Sequence, residues 1–318
     1  MIKRWKKERS NLLVLDAGDL LYPNLNTPPS EDRKTAMNLK AEAIVAAFNL
    51  MGTDAITIGH SDLLWGKQNL VEILKEAGFP VISANLIDNS SGTLLFQPYI
   101  VREMHGVRVG ILGLSSIPPG RTDPRFAGLT VQDPLEIARQ MVSSLREKAD
   151  LVILLSNLGY PKDLDLAKQV QGINVIVGGQ TGINLSHPRM VGNTMVLQVG
   201  KKGRYLGKVD ITIKDPDRPF VDRRTQETLQ RRLQRIETQL EDLGEQTPED
   251  SAGERKQRET LSRQKSEAER YLRSYETYNL AANRIVPLTQ DIASDPECEK
   301  TLKPYLIKAA EAEKTTAP

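Results

Sequence analysis

The stretch Gly52-Thr53-Asp54-Ala55-Ile56-Thr57-Ile58-Gly59-His60-Ser61-Asp62 decides how the fold is read. Its centre is a short apolar and β-branched run. It stops at a glycine and is followed at once by His, Ser and Asp. Such a run reads as a strand buried on both faces, ending in a turn. Polar side chains just beyond the C-terminal end of a strand lie where α/β sheets place their ligands. The same arrangement recurs outward from this stretch. Val14-Leu15-Asp16-Ala17 leads into Gly18-Asp19, residues 151–155 lead into Ser156-Asn157-Leu158-Gly159, and residues 175–177 lead into Gly178-Gly179-Gln180-Thr181-Gly182. Four strand ends therefore carry small and polar residues, as if converging on one site.

Between residues 12 and 213 strands alternate with amphipathic stretches. Strands are expected at 12–15, 55–58, 81–84, 107–112, 151–155, 175–177, 195–199 and 209–213. Helices are expected at 33–51, 69–77, 134–148 and 163–171. In the first, Met37, Ala41, Ile44, Ala47 and Phe48 recur at helical spacing. Gly78 is a natural stop for the second, and Pro134 suits the first turn of the third. Repeated β-α units predict an α/β fold.

The character changes at Asp215-Pro216-Asp217-Arg218-Pro219, a turn-rich junction. From 222 to 243 there is no Gly or Pro, and Leu229, Leu233, Ile236, Leu240 and Leu243 form an a/d seam. Gly244, Pro248 and Gly253 interrupt it. A second charged run, 254–278, carries Leu261, Ala268, Leu272 and Tyr275 on one face. Two such runs around a break predict an antiparallel helical hairpin. The division expected is an α/β domain over 1–214 that is incomplete at its N-terminal side, a charged hairpin over 215–281 and a poorly patterned tail over 282–318, frayed from 309. The hairpin either packs on its own chain or serves as an arm for a protein partner or self-association through 222–278.

The chain has 318 residues, 43 Lys+Arg against 41 Asp+Glu, three His and one Cys. The balanced charge gives no nucleic-acid footprint. One Cys excludes a disulfide within the chain and any Cys-rich metal site. Cys298 lies in a polar setting and reads as a bystander. No run approaches the ~20 apolar residues of a membrane span. The basic start, Met1-Ile2-Lys3-Arg4-Trp5-Lys6-Lys7, resembles a signal-peptide n-region, but Asp16 follows a short apolar run that fits a buried strand better than an export segment.

Taken together the segments resemble the metallophosphoesterase (calcineurin-like) superfamily, specifically the catalytic domain of the bacterial 5′-nucleotidases. The resemblance covers about residues 10 to 213. It rests on Gly18-Asp19, 52–62, Ser83-Ala84-Asn85-Leu86, 106–116, 149–182 and 198–210. It implies an α/β sandwich and two divalent metals ~4 Å apart that polarise a phosphate and acidify a bridging water. The family pattern runs Asp-x-His, Gly-Asp, Gly-Asn-His-Asp/Glu, a later His, and Gly-His-x-His. Against it, the sequence starts too late for the strand with Asp-x-His. Asp19 matches the bridging carboxylate. His60 stands at the metal-binding Asn, Ser61 at the catalytic His, and Asp62 at the acidic position after it. Asn157 stands at the later His, and Gln180 and Gly182 at the last two. His105 reads as part of a hairpin turn, and His187 as a loop residue beyond the final motif.

The residual metal donors are thus Asp19 and His60, with Ser61, Asp62, Asn157, Gln180 and Gly182 as motif equivalents. One carboxylate and one imidazole cannot hold a two-metal centre. The expectation is a degenerate, non-catalytic scaffold or binding module without a cofactor. The alternative is a phosphoric-ester hydrolase of altered metal content, with Mn, Zn, Fe or Ca held by Asp19, His60 and Asp62. The nucleotidases also carry a base-stacking second domain; the resemblance ends before it, and with Tyr278 and Tyr305 the aromatics beyond residue 277, base recognition of that kind is not expected from these residues. Relatives of this kind act outside the cytoplasm.

Overall fold

A computed structural model describes residues 1–25, 29–117, 123–247 and 250–315. Helix α1 (Ile2–Glu8) leads into β1 (Leu15–Asp16), α2 (Lys34–Met51) into β2 (Ala55–Thr57), and α3 (Gly66–Ile73) into β3 (Val81–Ile82). Then come β4 (Leu86–Asp88), β5 (Thr93–Leu94), β6 (Tyr99–Met104), β7 (Val107–Leu114) and β8 (Leu129–Val131). Helix α4 (Pro134–Arg146), β9 (Leu151–Ser156), α5 (Tyr160–Gln169), β10 (Val175–Gly178), β11 (Arg189–Val191) and β12 (Thr194–Gln198) follow. The chain continues through β13 (Tyr205–Thr212), β14 (Phe220–Asp222), α6 (Arg223–Asp242), α7 (Ala252–Tyr275), β15 (Asn279–Pro287) and α8 (Pro296–Thr315).

One sheet is parallel, in the order β1-β2-β3. A second runs β11-β12-β10-β9-β7-β6, with its central strands parallel. The continuous apolar run of β9 explains how they stack. Val152 and Leu154 face the cluster formed with α4 and α5, while Leu151, Ile153 and Leu155 face inward with Ala55 and Ile82 of the first sheet. Helices α2 and α3 cover the other side of the first sheet through Ala41, Val45, Leu70 and Ile73. The result is an α/β sandwich with helices outside two facing sheets, as the sequence predicts. The sheets come close at Gly113. A Cβ there would lie 2.3 Å from the Ile82 carbonyl oxygen, so no side chain fits.

The hairpin forms as expected, with α6 packed along α7. Its ends return to neighbouring strands, because Phe220 of β14 pairs with Asn279 of β15. Buried Asn279 also fastens the preceding junction. Its Oδ1 accepts the Lys214 N–H at 2.7 Å, and its Nδ2 donates to the Asp215 and Arg218 carbonyls at 2.8 and 2.7 Å.

Several expectations need correction. Residues 282–318 are not a patternless tail. Most of β15 lies there, paired antiparallel with the whole of β13, and helix α8 packs on α2 with Ala309 buried. The buried face of β15 is Asn279, Ala281 and Asn283, so it carries no hydrophobic alternation to read. Helix α8 runs through the stretch expected to fray. Pro248, read as a breaker, and residues 316–318 lie outside the described residues. The strand expected at 12–15 is confined to Leu15–Asp16. The basic start is a docked helix: Lys3 pairs with Asp295, Lys6 with Asp54 at 2.9 Å, and Arg9 with Asp210 at 2.6 Å. No helix among the described residues is long and apolar enough to cross a membrane.

Candidate functional site

The turns after β1 and β2 are tied together by Asp62. Its Oδ1 accepts the Leu20 and Leu21 N–H groups at 2.8 Å, and its Oδ2 accepts those of Asp19 and Gly59 at 2.9 Å. Burial and the neighbouring Asp19 charge push its carboxyl up to about 7, against the pull of these N–H donors. Asp62 thus acts as the knot that shapes both turns.

Asp19 sits beside it with φ 60, a left-handed conformation for a non-glycine residue. Its Oδ1 accepts the Ser61 N–H at 2.9 Å and the Ser61 hydroxyl at 2.8 Å. Its Oδ2 accepts Asn157 Nδ2 at 3.2 Å. His60 Nδ1 lies 3.5 Å from Asp19 Oδ1, and His60 Nε2 bonds Asn24 Oδ1 at 3.1 Å. The turn needs glycine at 59, since a Cβ there would lie 2.2 Å from Asp19 Oδ1 and 2.7 Å from Asn157 Nδ2.

The other strand ends close the cluster. Asn157, beyond β9, is fully buried and donates to the Ala17 carbonyl at 2.9 Å. The Ser116 hydroxyl, beyond β7, donates to Asn157 Oδ1 at 3.2 Å and accepts Gln180 Nε2 at 3.3 Å. Gln180, beyond β10, also has a left-handed backbone, with φ 65. Gly182 contributes no side chain, and Lys201 packs where its Cβ would be. So Asp19, Ser61, Asp62, Asn157, Ser116 and Gln180 form one hydrogen-bonded group at the strand ends, and His60 lies against it with Nδ1 3.5 Å from Asp19 Oδ1.

Sequence reasoning missed Ser116 and Asn24 as members of this group. Ser115-Ser116 is a fifth strand end with small polar residues, the same signal that marked the others. His105 lies in the β6–β7 turn with φ 51, as read, and bonds the Ser10 hydroxyl at 2.9 Å. His187 lies beside Arg224, at 2.8 Å. Neither joins the group. A 230 Å³ cavity lined by Lys6, Arg9, Asp54 and Arg102 lies at the opposite, N-terminal end of the parallel strands.

The donors present do not match two divalent ions. Asp62 spends both oxygens on four backbone N–H groups, and Asp19 is held by Ser61 and Asn157. Asn157 Nδ2 faces a carbonyl. Among the described residues no three His, Cys, Asp or Glu side chains converge in a ligating arrangement. His60 Nδ1 is the one buried nitrogen of the group with no hydrogen-bond partner.

A second buried carboxylate flanks the site. Asp163, in the first turn of α5, accepts the Ser156 hydroxyl at 2.5 Å on Oδ1, while its Oδ2 has no hydrogen-bond partner. Burial pushes it up to about 7. The folded chain then keeps a proton that the unfolded chain releases above pH ~4, so stability falls as pH rises from ~4 through about 7. Asp16, pushed up to about 6, and Asp62 act with the same sign. Thermal melts are expected to show a lower Tm at pH 8 than at pH 5. Asp163→Asn is expected to raise Tm at pH 8 and flatten part of that slope.

Comparison with known proteins agrees with this fold. No family model matches the chain. A probable 5′-nucleotidase of Treponema pallidum is 32% identical over 190 residues, covering 57% of this chain and 30% of that protein. A 5′-nucleotidase of Vibrio cholerae is 27% identical, covering 63% of this chain and 40% of that protein. The chain therefore spans less than half the length of these curated relatives. The solved 5′-nucleotidase precursor of Thermus thermophilus superposes with TM-score 0.57 at 27% identity, over 67% of this chain and 44% of that one. The calcineurin-like phosphoesterase YfkN of Bacillus subtilis shares the fold at TM-score 0.61 and 19% identity, over 98% of this chain and 87% of that one. In sequence and in fold the chain is similar to the metallophosphoesterase (calcineurin-like) superfamily.

Proposed function

We propose that this chain uses the metallophosphoesterase sandwich as a non-catalytic binding module, with the hairpin as its docking arm. The observation that carries the reading is the state of Asp19. The position that matches the family's bridging carboxylate is occupied by Ser61 and Asn157, the residues that stand where the family has His. Two neutral donors on Oδ1 and one on Oδ2 leave Asp19 with less acceptor capacity than a carboxylate shared by two ions uses, and no other acidic side chain of the group is open to add to it. The test is hydrolysis of a generic phosphomonoester and of nucleoside monophosphates with Mn, Zn, Fe or Ca added. The reading expects no activity above a metal-only blank. Turnover that Asp19→Ala abolishes would overturn it.

A second reading has its own observation. The unpartnered His60 Nδ1 faces Asp19 Oδ1 at 3.5 Å, so these two could share a single ion in a hydrolase of altered ligands. A single cation that raises Tm in the wild type and fails to do so in His60→Ala would favour it.

The arm reading makes a prediction about folding. The hairpin leaves and re-enters the body at paired strands, and α6 touches the body mainly through β14 and β15. Replacing 223–277 by a flexible Gly/Ser crossover of about a dozen residues, which parallel strands require, is expected to leave a cooperatively folding body. Loss of a sharp thermal transition would show instead that the hairpin is part of the core.

A further inference from the structure

The hairpin is an electrical dipole laid along its own length. The Glu237–Lys265 ion pair, 3.0 Å, crosses between α6 and α7 and divides it into two halves. The base side, 223–236 with 266–275, carries seven basic and three acidic residues; the tip side, 238–264, carries four basic and seven acidic ones. The base is dominated by exposed arginines, including Arg231, Arg232, Arg235, Arg270 and Arg273. The tip is dominated by Glu241, Asp242, Glu245 and Glu259, all exposed. Only part of the acidity at the tip is consumed internally. Asp250 lies against Arg258 at 3.5 Å, and Glu254 accepts the Ser251 N–H in a capping box.

The apolar seam of the hairpin is also incomplete. Ile236, Leu261 and Ala268 are buried, but Leu229, Leu233, Leu240, Leu243 and Leu272 remain half-exposed, and Tyr271 is 45% exposed. Two helices shield a shared stripe from one side only. Four helices close it on both sides.

We propose that the hairpin's partner is a second copy of this chain, docked antiparallel so that the basic base of each hairpin lies against the acidic tip of the other. This rests on the reading of residues 222–278 as a docking arm and names its occupant. The observations favour it over a foreign partner because the charge pattern is complementary to itself under a two-fold axis, as an isologous contact requires. A parallel pairing would set base on base and tip on tip. Helices of this length make a face of about 30 Å by roughly 20 Å. That buries on the order of 1,200 Å² between two copies, at the low end for a specific interface. The dimer is therefore weak and strongly salt-dependent, since surface charges are screened beyond ~3 Å at 1 M salt.

Sedimentation equilibrium of the full chain tests it. The proposal expects twice the chain's mass at tens of micromolar protein in ~50 mM salt, with dissociation at least tenfold easier in 1 M salt. Two variants separate antiparallel from parallel pairing. One reverses the base with Arg231→Glu, Arg232→Glu and Arg235→Glu. The other reverses the tip with Glu241→Arg, Asp242→Arg and Glu245→Arg. Each alone is expected to be monomeric, and their equal mixture to dimerise again, which also shows that both are folded. A wild-type monomer at every concentration and salt overturns the proposal, as do variants that each dimerise like wild type. Monomeric behaviour would leave the non-catalytic reading standing, since hydrolysis tests that one. Turnover by a dimeric protein would do the reverse.

Discussion

Asp62→Ala is expected to weaken the fold severely. The substitution removes the acceptor for four N–H groups, those of Asp19, Leu20, Leu21 and Gly59, in a position only 1% exposed. A buried donor left without an acceptor costs about 1–3 kcal/mol. Two of the four bonds are buried and two partly buried, so the loss is on the order of 2–4 kcal/mol or more, against a total stability of ~5–15 kcal/mol for a typical domain. Urea unfolding followed by circular dichroism should show either no folded baseline or a midpoint far below wild type. Ser61→Ala is the matched control. It removes one hydroxyl bond to an Asp19 oxygen that keeps the Ser61 N–H, so its cost should be about 1 kcal/mol. Equal effects from the two variants would mean that Asp62 does not organise these turns.

Gly113→Ala is expected to be nearly as damaging, for a steric reason. The added Cβ would lie 2.3 Å from the Ile82 carbonyl oxygen and 2.7 Å from its carbon, and both are backbone atoms of a strand in the facing sheet. Relief requires the two sheets to separate, and Ala84 N–H would lose its 2.8 Å bond to the Gly113 carbonyl. Overpacking against flexible side chains costs ~1–3 kcal/mol, and a rigid strand moves the cost to the top of that range or beyond it. A variant with wild-type stability would show that the sheets do not meet as described. The measurement is the same urea titration, with the slope checked for a change in the denatured or native state.

How much of this was legible depended on which faces each element buries. Strands β7, β9, β10 and β12 are apolar along their central runs because both faces are covered there, and a Val/Ile/Leu-rich run announces that. Strand β6 was missed, since it is the sheet's edge and reads Tyr-Ile-Val-Arg-Glu-Met with three exposed positions. Strand β15 was missed for a different reason: its inner face is built of Asn and Ala, whose burial depends on hydrogen bonds to a distant loop and to Leu185. Helix α8 lies along α2 with Leu302 and Tyr305 half-buried and Ala309 buried at helical spacing, but the face is small and mixed with polar residues, and Pro304 argues against a helix in the sequence. For the site, the strand-end rule located Asp19, His60, Ser61, Asn157 and Gln180 correctly as neighbours. It could not say that Asp62 faces backbone N–H groups rather than the opening, because acceptor geometry is a property of the folded turn. Ser116 was within reach of the rule and was passed over.

The central proposal is that the described residues of this chain do not by themselves supply the donors for a two-metal centre. Elemental analysis of purified protein, after dialysis against micromolar Mn, Zn, Fe and Ca, tests it most directly. The account predicts well below one bound metal per chain, unchanged in Asp19→Ala. Two metals per chain, lost in Asp19→Ala while the protein stays folded, would contradict it.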